Sequence, residues 1–135
     1  MASGPIFILY VRDQERSMAF YAATLNAQPT LHVPGMSEFT LPGGAALGLM
    51  PEAGISRLIP AIDPTAANGA PRAELYLRVD DPTSSLDRAI QAGATMLSPV
   101  TPRDWGEDVA YCLDPDGHVL AFARPTARAP SGRRE

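Results

Sequence analysis

Glu74, Tyr76 and Arg78 occupy every second position of a short apolar run. In an extended strand that spacing sets a carboxylate, a phenol and a guanidinium on one face. The trio suits binding: two charges to fix polar groups and a ring to lie against a flat body. Tyr10 closes a comparable run, where Ile6, Ile8 and Tyr10 alternate with Phe7, Leu9 and Val11. Trp105 is the single tryptophan and sits in Pro102-Arg103-Asp104-Trp105-Gly106, a turn sequence. It reads either as a lid on the core or as an aromatic wall for a ligand ring. Glu74 with Arg78 reads either as an ion pair at a sheet surface or as a polar anchor for ligand. His118 follows a turn glycine and reads as a solvated turn residue, and His32 as structural. Two such histidines build no Ser-His-Asp or Cys-His arrangement. Cys112 alternates onto a buried strand face and reads as a small hydrophobe.

Two halves of similar order position these residues. Ile6–Asp13 lies over Glu74–Asp81 without a gap, matching Leu9 with Leu77, Val11 with Val79 and Asp13 with Asp81. The register runs on to Ser17 and Ser85, and Pro42–Leu47 later lies over Pro115–Leu120. Each half opens with a β-branched and aromatic strand. Asp13 then caps a helix carrying Met18, Tyr21, Ala22 and Leu25 at helical spacing. In the second half Asp81 is the cap, Pro82 takes the first helical position, and Gly93 ends the helix. Three strand-like pieces follow each helix: Pro29–Val33, Ser37–Leu41 and Ala45–Met50, then Thr95–Val100, Asp108–Leu113 and His118–Arg124. The fold class expected is α+β, with two tandem βαβββ modules over 5–51 and 73–125. Residues 52–72, rich in Pro, Ala and Gly, read as a linker whose Ile55–Ile62 portion packs over something. Residues 126–135 read as a disordered tail.

The chain has 135 residues, enough for one ordinary core. A net charge of −4 excludes a broad basic field for nucleic acid or an anionic membrane. No apolar stretch is long enough to span a bilayer. One cysteine cannot form an internal disulfide, which points to a reducing, cytoplasmic setting. All eleven basic residues are Arg, a compositional bias with no chemical message of its own.

Several residues resemble the vicinal-oxygen-chelate superfamily, the relatives of glyoxalase, bleomycin-resistance protein and ring-cleaving dioxygenase. Tyr10-Val11-Arg12-Asp13 ends the first strand, Phe20-Tyr21 precedes Leu25 in the first helix, and Gly93-Ala94 closes the second helix. Asp114-Pro115-Asp116-Gly117-His118 resembles the family's turn before the last strand. The resemblance spans Pro5 to Pro125 and implies half-open curved sheets around a cavity. It also implies four metal-ligand positions, on the first and last strand of each module. These fall at Ile6, Gly48, Glu74 and Ala121, and three of them cannot ligate through a side chain.

The expectation is therefore a protein without metal or cofactor, nearest the bleomycin-resistance branch, that binds a small aromatic or amphipathic compound. The ligand site would draw on Tyr10, Met50, Glu74, Tyr76, Arg78 and Trp105, with Gly48, Ala121 and Ala123 leaving room between them. The alternatives are an enzyme of the same superfamily, of lyase, epimerase or dioxygenase type, and a partner-binding module. A metal-free enzyme would use Glu74 as its base. Half-open sheets also expose edges, so a homodimer is expected, with neither nucleic acid nor membrane as partner.

Overall fold

The computed structural model describes residues 4–127. The first half runs β1 (Ile6–Val11), α1 (Gln14–Leu25), β2 (Leu31–Val33), β3 (Met36–Thr40) and β4 (Ala46–Pro51). After α2 (Glu52–Leu58), the second half repeats it as β5 (Glu74–Arg78), α3 (Pro82–Gln91), β6 (Thr95–Pro102), β7 (Glu107–Leu113) and β8 (Val119–Pro125). The strands form two open, curved four-stranded sheets, in the orders β1-β4-β3-β2 and β5-β8-β7-β6. In each, the first strand pairs parallel with the last and the remaining pairs are antiparallel.

Local chemistry explains the helix ends. Asp13 accepts a hydrogen bond from the Arg16 backbone N–H, and Asp81 from that of Ser84, so each aspartate satisfies a donor that the helix start leaves free. Pro82 opens α3 where its missing N–H costs nothing. α1 ends on Asn26 in the left-handed conformation, a residue tolerated there because its short amide can bond locally.

The core lies between the helices and one face of each sheet. Val11, Leu47, Leu49 and Phe39 of module 1 join Leu86, Ala89, Leu120 and Phe122 of module 2 in one cluster, with Leu75, Leu77 and Val79 packed against it. Alternation thus holds in both modules: odd positions of β1 and β5 beyond Phe7 face the helices. Phe7 is the exception, left exposed at the β1 edge.

Two expectations are corrected, and a third falls mostly outside the described residues. The segment 52–72 is not all irregular linker, because Glu52–Leu58 is helical; Ile55 within it is buried, as the packing expected of the 55–62 portion requires. Only Thr126 and Ala127 of the expected tail lie inside the described residues, and both are irregular. His118 is buried, not solvated. Its Nδ1 lies 3.0 Å from Asp114 Oδ2, and its Nε2 takes a hydrogen bond from Arg72 Nη2 at 2.9 Å. The reason is the turn itself. Asp114 bonds back to the N–H groups of Asp116 and His118, which draws the imidazole inward.

That turn also joins the modules. Tyr21 of α1 donates its hydroxyl to Asp114 Oδ2 at 2.5 Å. Asp116 accepts from the backbone N–H of Arg12 at 2.9 Å, from Arg12 Nε at 3.0 Å and from Ser17 Oγ at 3.0 Å. Burial together with Asp114 raises the Tyr21 phenol well above its usual value. Cys112 lies in the same core, and burial, then Asp114, pushes its thiol up to about 12, so it behaves as a small hydrophobe.

Candidate functional site

On the sheet face away from the helices, module 2 carries a second, smaller apolar layer. Val109, Ala121 and Ala123 are fully buried there, with Tyr76 and Tyr111 packed against them. Four polar side chains crown this layer. Tyr76 donates its hydroxyl to Glu107 Oε1 at 2.5 Å and accepts from Trp105 Nε1 at 3.0 Å. Arg78 donates to both Glu107 oxygens, at 2.8 and 3.4 Å, and its guanidinium carbon lies 5.4 Å from the Tyr76 ring centre. The cluster is one chain of donors ending on one carboxylate.

Strand geometry sets this up. Tyr76 pairs in register with Ala121, and Arg78 with Ala123, so small residues on β8 leave space beside the long ones on β5. Glu107 opens β7 directly after Gly106, whose positive φ closes the turn that carries Trp105. Arg103 pins that turn by donating to Ser98 Oγ and the Val109 carbonyl, both at 2.8 Å, and stacks 5.0 Å from the Tyr111 ring centre.

The electrostatics follow. Hydrogen bonds from Arg78, then Tyr76, hold the Glu107 carboxyl below its ordinary range, against a smaller opposing effect of desolvation. Glu107 is therefore a fixed negative anchor at neutral pH and a weak base. Desolvation and the bond to Glu107 raise the Tyr76 phenol, so it stays protonated and able to donate. Trp105 is 57% exposed and Arg78 stays largely open, which leaves an indole face and guanidinium N–H groups for a ligand. Trp105 is thus no lid on the core.

The structure brings Tyr76, Arg78 and Trp105 together, as their alternation and turn suggested, but supplies Glu107 in place of Glu74. Glu74 lies apart. It lines a cavity of about 270 Å³ with Phe7, Ile8, Leu9, Leu47, Ala73 and Leu75. Tyr10 and Met50 are register partners on the other module. The cavity that Tyr76 lines is bounded on module 1 by Phe7, Leu41, Pro42 and Ala45, not by Tyr10 or Met50. A strand that starts at Asp108 leaves Glu107 in the preceding turn. Begun at Glu107, alternation sets Glu107, Val109 and Tyr111 on one face, and that is the signal available.

The sequence model of the glyoxalase/bleomycin resistance protein/dioxygenase superfamily matches residues 5–122. The chain belongs to this superfamily. Solved structures share the superfamily fold. A glyoxalase-related enzyme from Fulvimarina pelagi is 21% identical, with a TM-score of 0.77 over 98% of this chain and 96% of that one. A glyoxalase/bleomycin resistance protein/dioxygenase family enzyme from Burkholderia phytofirmans is 19% identical, with a TM-score of 0.77 over 90% and 97%. Among curated sequences, an uncharacterised protein of Mycobacterium bovis is 31% identical over 65 residues, which is 48% of this chain and 42% of that protein. The chain therefore aligns with less than half the length of that relative.

The superfamily's metal-ligand positions are a poor fit to a divalent cation here. Ile6, Gly48 and Ala121 offer no donor atom. A Cβ added at Gly48 would stand 2.5 Å from Ile8 Cδ1 and 2.9 Å from Ile6 Cδ1, so isoleucine tips fill the place of a ligand. Among the described residues no three His, Cys, Asp or Glu side chains gather to hold a metal.

Proposed function

We propose that this superfamily member is a metal-free binding protein of the bleomycin-resistance type, holding a flat aromatic or amphipathic compound on the module 2 sheet. The observation that carries this reading is the Trp105–Tyr76–Glu107–Arg78 chain above a floor of small residues. The ligand's ring would lie on the open indole and an acceptor group would meet Arg78. Binding by stoichiometric sequestration, as of an antibiotic-like compound, needs no catalytic group. Glu107 is held ionised and fully engaged, which makes it an anchor for Arg78 and Tyr76, while Glu74 lines a separate cavity and Tyr10 and Met50 lie on the other module. The free, buried Cys112 fits a reducing cytoplasmic setting. No helix among the described residues is long and apolar enough to cross a membrane.

Trp105 fluorescence provides the test, since no second tryptophan obscures it. A thermal-shift screen of aromatic compounds should yield binders that raise the melting temperature and quench or shift the emission. Trp105→Ala should weaken them by about 0.5–1.5 kcal/mol beyond lost area, with little loss of fold stability. Plasma mass spectrometry on the tag-free protein should find no stoichiometric metal. Bound zinc, iron, nickel or manganese surviving dialysis, or a Trp105→Ala variant that melts early yet binds normally, defeats the reading.

The same reading includes a homodimer. Leu31 and Val33 on the β2 edge and Met96 and Leu97 on the β6 edge are 39–52% exposed, an apolar fringe along strands that end their sheets. Sedimentation at micromolar concentration is expected to show a dimer, and Val33→Lys with Leu97→Lys to dissociate it. A monomer in the parent protein refutes this part.

A further inference from the structure

A separate cavity lies on the helix side of the sheets, where the two modules meet. Its volume is about 260 Å³. Leu25 of α1, Leu41 after β3, Leu77 of β5 and Phe122 of β8 supply apolar walls. Thr24, Ser85 and Arg88 line the same space. Thr24 is only 2% exposed, and its hydroxyl has no hydrogen-bond partner. Buried polar atoms in folded proteins nearly always have one, so an orphan beside a cavity marks a place for a partner. Arg88 is also poorly satisfied. Its guanidinium makes two long contacts, Nε to the Thr24 carbonyl at 3.4 Å and Nη2 to Ser85 Oγ at 3.3 Å. Among the described residues no carboxylate pairs with it.

We propose that this cleft binds a small monoanionic compound with an apolar body. A carboxylate would accept from the Arg88 guanidinium and from the Thr24 hydroxyl, and the hydrocarbon would fill the space between Leu25, Leu41, Leu77 and Phe122. A guanidinium fork matches a carboxylate, and such charge-assisted bonds are the strong ones. The volume of about 260 Å³ lies near the lower end of small-molecule pockets, about 300–1,000 Å³, which suits a compound the size of a medium-chain acid. The single charge follows from the surroundings. A neighbouring hollow that shares Arg78, Ser85 and Arg88 with this cleft also carries Asp80 and Asp81, so a second negative charge would meet carboxylates. The site draws on both modules and is centred on the helix side of the sheets; it shares Arg78 with the Tyr76 cluster, and Thr24 and Arg88 belong to this cleft alone.

Straight-chain carboxylates from butanoate to octanoate, with 1-octanol as the neutral comparison, provide the probes. Methyl resonances of Leu25, Leu41, Leu77 and Val79 should shift to saturation, with affinity rising along the series until the cavity is full. Arg88→Met should weaken binding by about tenfold or more, the scale of a lost charge-assisted bond. Thr24→Val keeps the volume and removes the hydroxyl. It should raise the melting temperature yet bind carboxylates several-fold more weakly, a pair of effects that a purely structural Thr24 would not give. That variant keeps the test decisive should Arg88→Met fail to fold. Absence of saturation, equal binding of octanol, or unchanged affinity in a folded Arg88→Met or Thr24→Val overturns the proposal. So do saturable shifts confined to the Trp105 indole.

Discussion

Replacing Asp114 by Ala is expected to cost about 3–5 kcal/mol of stability and to lower the melting temperature by about 10 °C or more. The carboxylate is fully buried and receives the Tyr21 hydroxyl, His118 Nδ1 and two backbone N–H groups. Its removal leaves buried donors without acceptors, at about 1–3 kcal/mol each. The pH dependence has a definite sign. Burial alone would raise the Asp114 carboxyl, but hydrogen bonds and charge interaction with His118, together with the Tyr21 hydroxyl, outweigh it and the net shift is downward. A carboxyl lowered on folding stabilises the native state at pH values above its unfolded range, near 4. That contribution is lost as pH falls from about 4 toward the folded value. Acid titration of the melting temperature should therefore show a steep limb below about pH 4 that flattens in Asp114→Asn. An unchanged limb would mean that other carboxylates govern acid unfolding.

Gly117→Ala should be the most damaging of the small substitutions. Gly117 has φ 90°, a conformation that costs an L side chain about 1–2 kcal/mol. An added Cβ would also collide with the Gly69 carbonyl, standing 2.8 Å from its carbon. Backbone there cannot swing aside as a side chain can, which adds about 1–3 kcal/mol of overpacking. Gly35 has φ 93° with nothing within 4 Å of an added Cβ, so Gly35→Ala isolates the conformational part. Urea midpoints should place Gly117→Ala well below Gly35→Ala. Equal midpoints would show that the segment around Gly69 gives way freely.

Much of this architecture was legible because it rests on local chemistry. Asp13, Asp81 and Pro82 announce helix starts, and period-two alternation sorts β1 and β5 into a core face and an open face. The alignment of Leu9, Val11 and Asp13 with Leu77, Val79 and Asp81 reveals the duplication, and the superfamily's turn fixes its end. What the sequence concealed depends on pairing across space. Arg78 shares a face with Glu74, but the hairpin of β6 and β7 brings Glu107 closer, and no one-dimensional pattern ranks those two partners. His118 looked like a surface residue because turns are commonly solvated. Here the turn is pressed between modules, which only the Tyr21 and Arg12 contacts reveal. The 52–58 helix was hidden by its Gly and Pro neighbours.

The parallel pairing of each module's outer strands bears on the order in which the chain can fold. Among the described residues β1 pairs with β4 alone, the last strand of its module, and β5 with β8 alone. Neither module can complete its sheet strand by strand from its N-terminal end, because β1 and β5 must each wait for a partner that follows about forty residues later. Arg12, Ser17 and Tyr21 wait longer still, since their partners at Asp114 and Asp116 are separated from them by 93–104 positions. A nascent first module therefore carries unfinished polar business on α1 until nearly the whole chain has emerged. The two halves, alike in plan, are made to succeed or fail together.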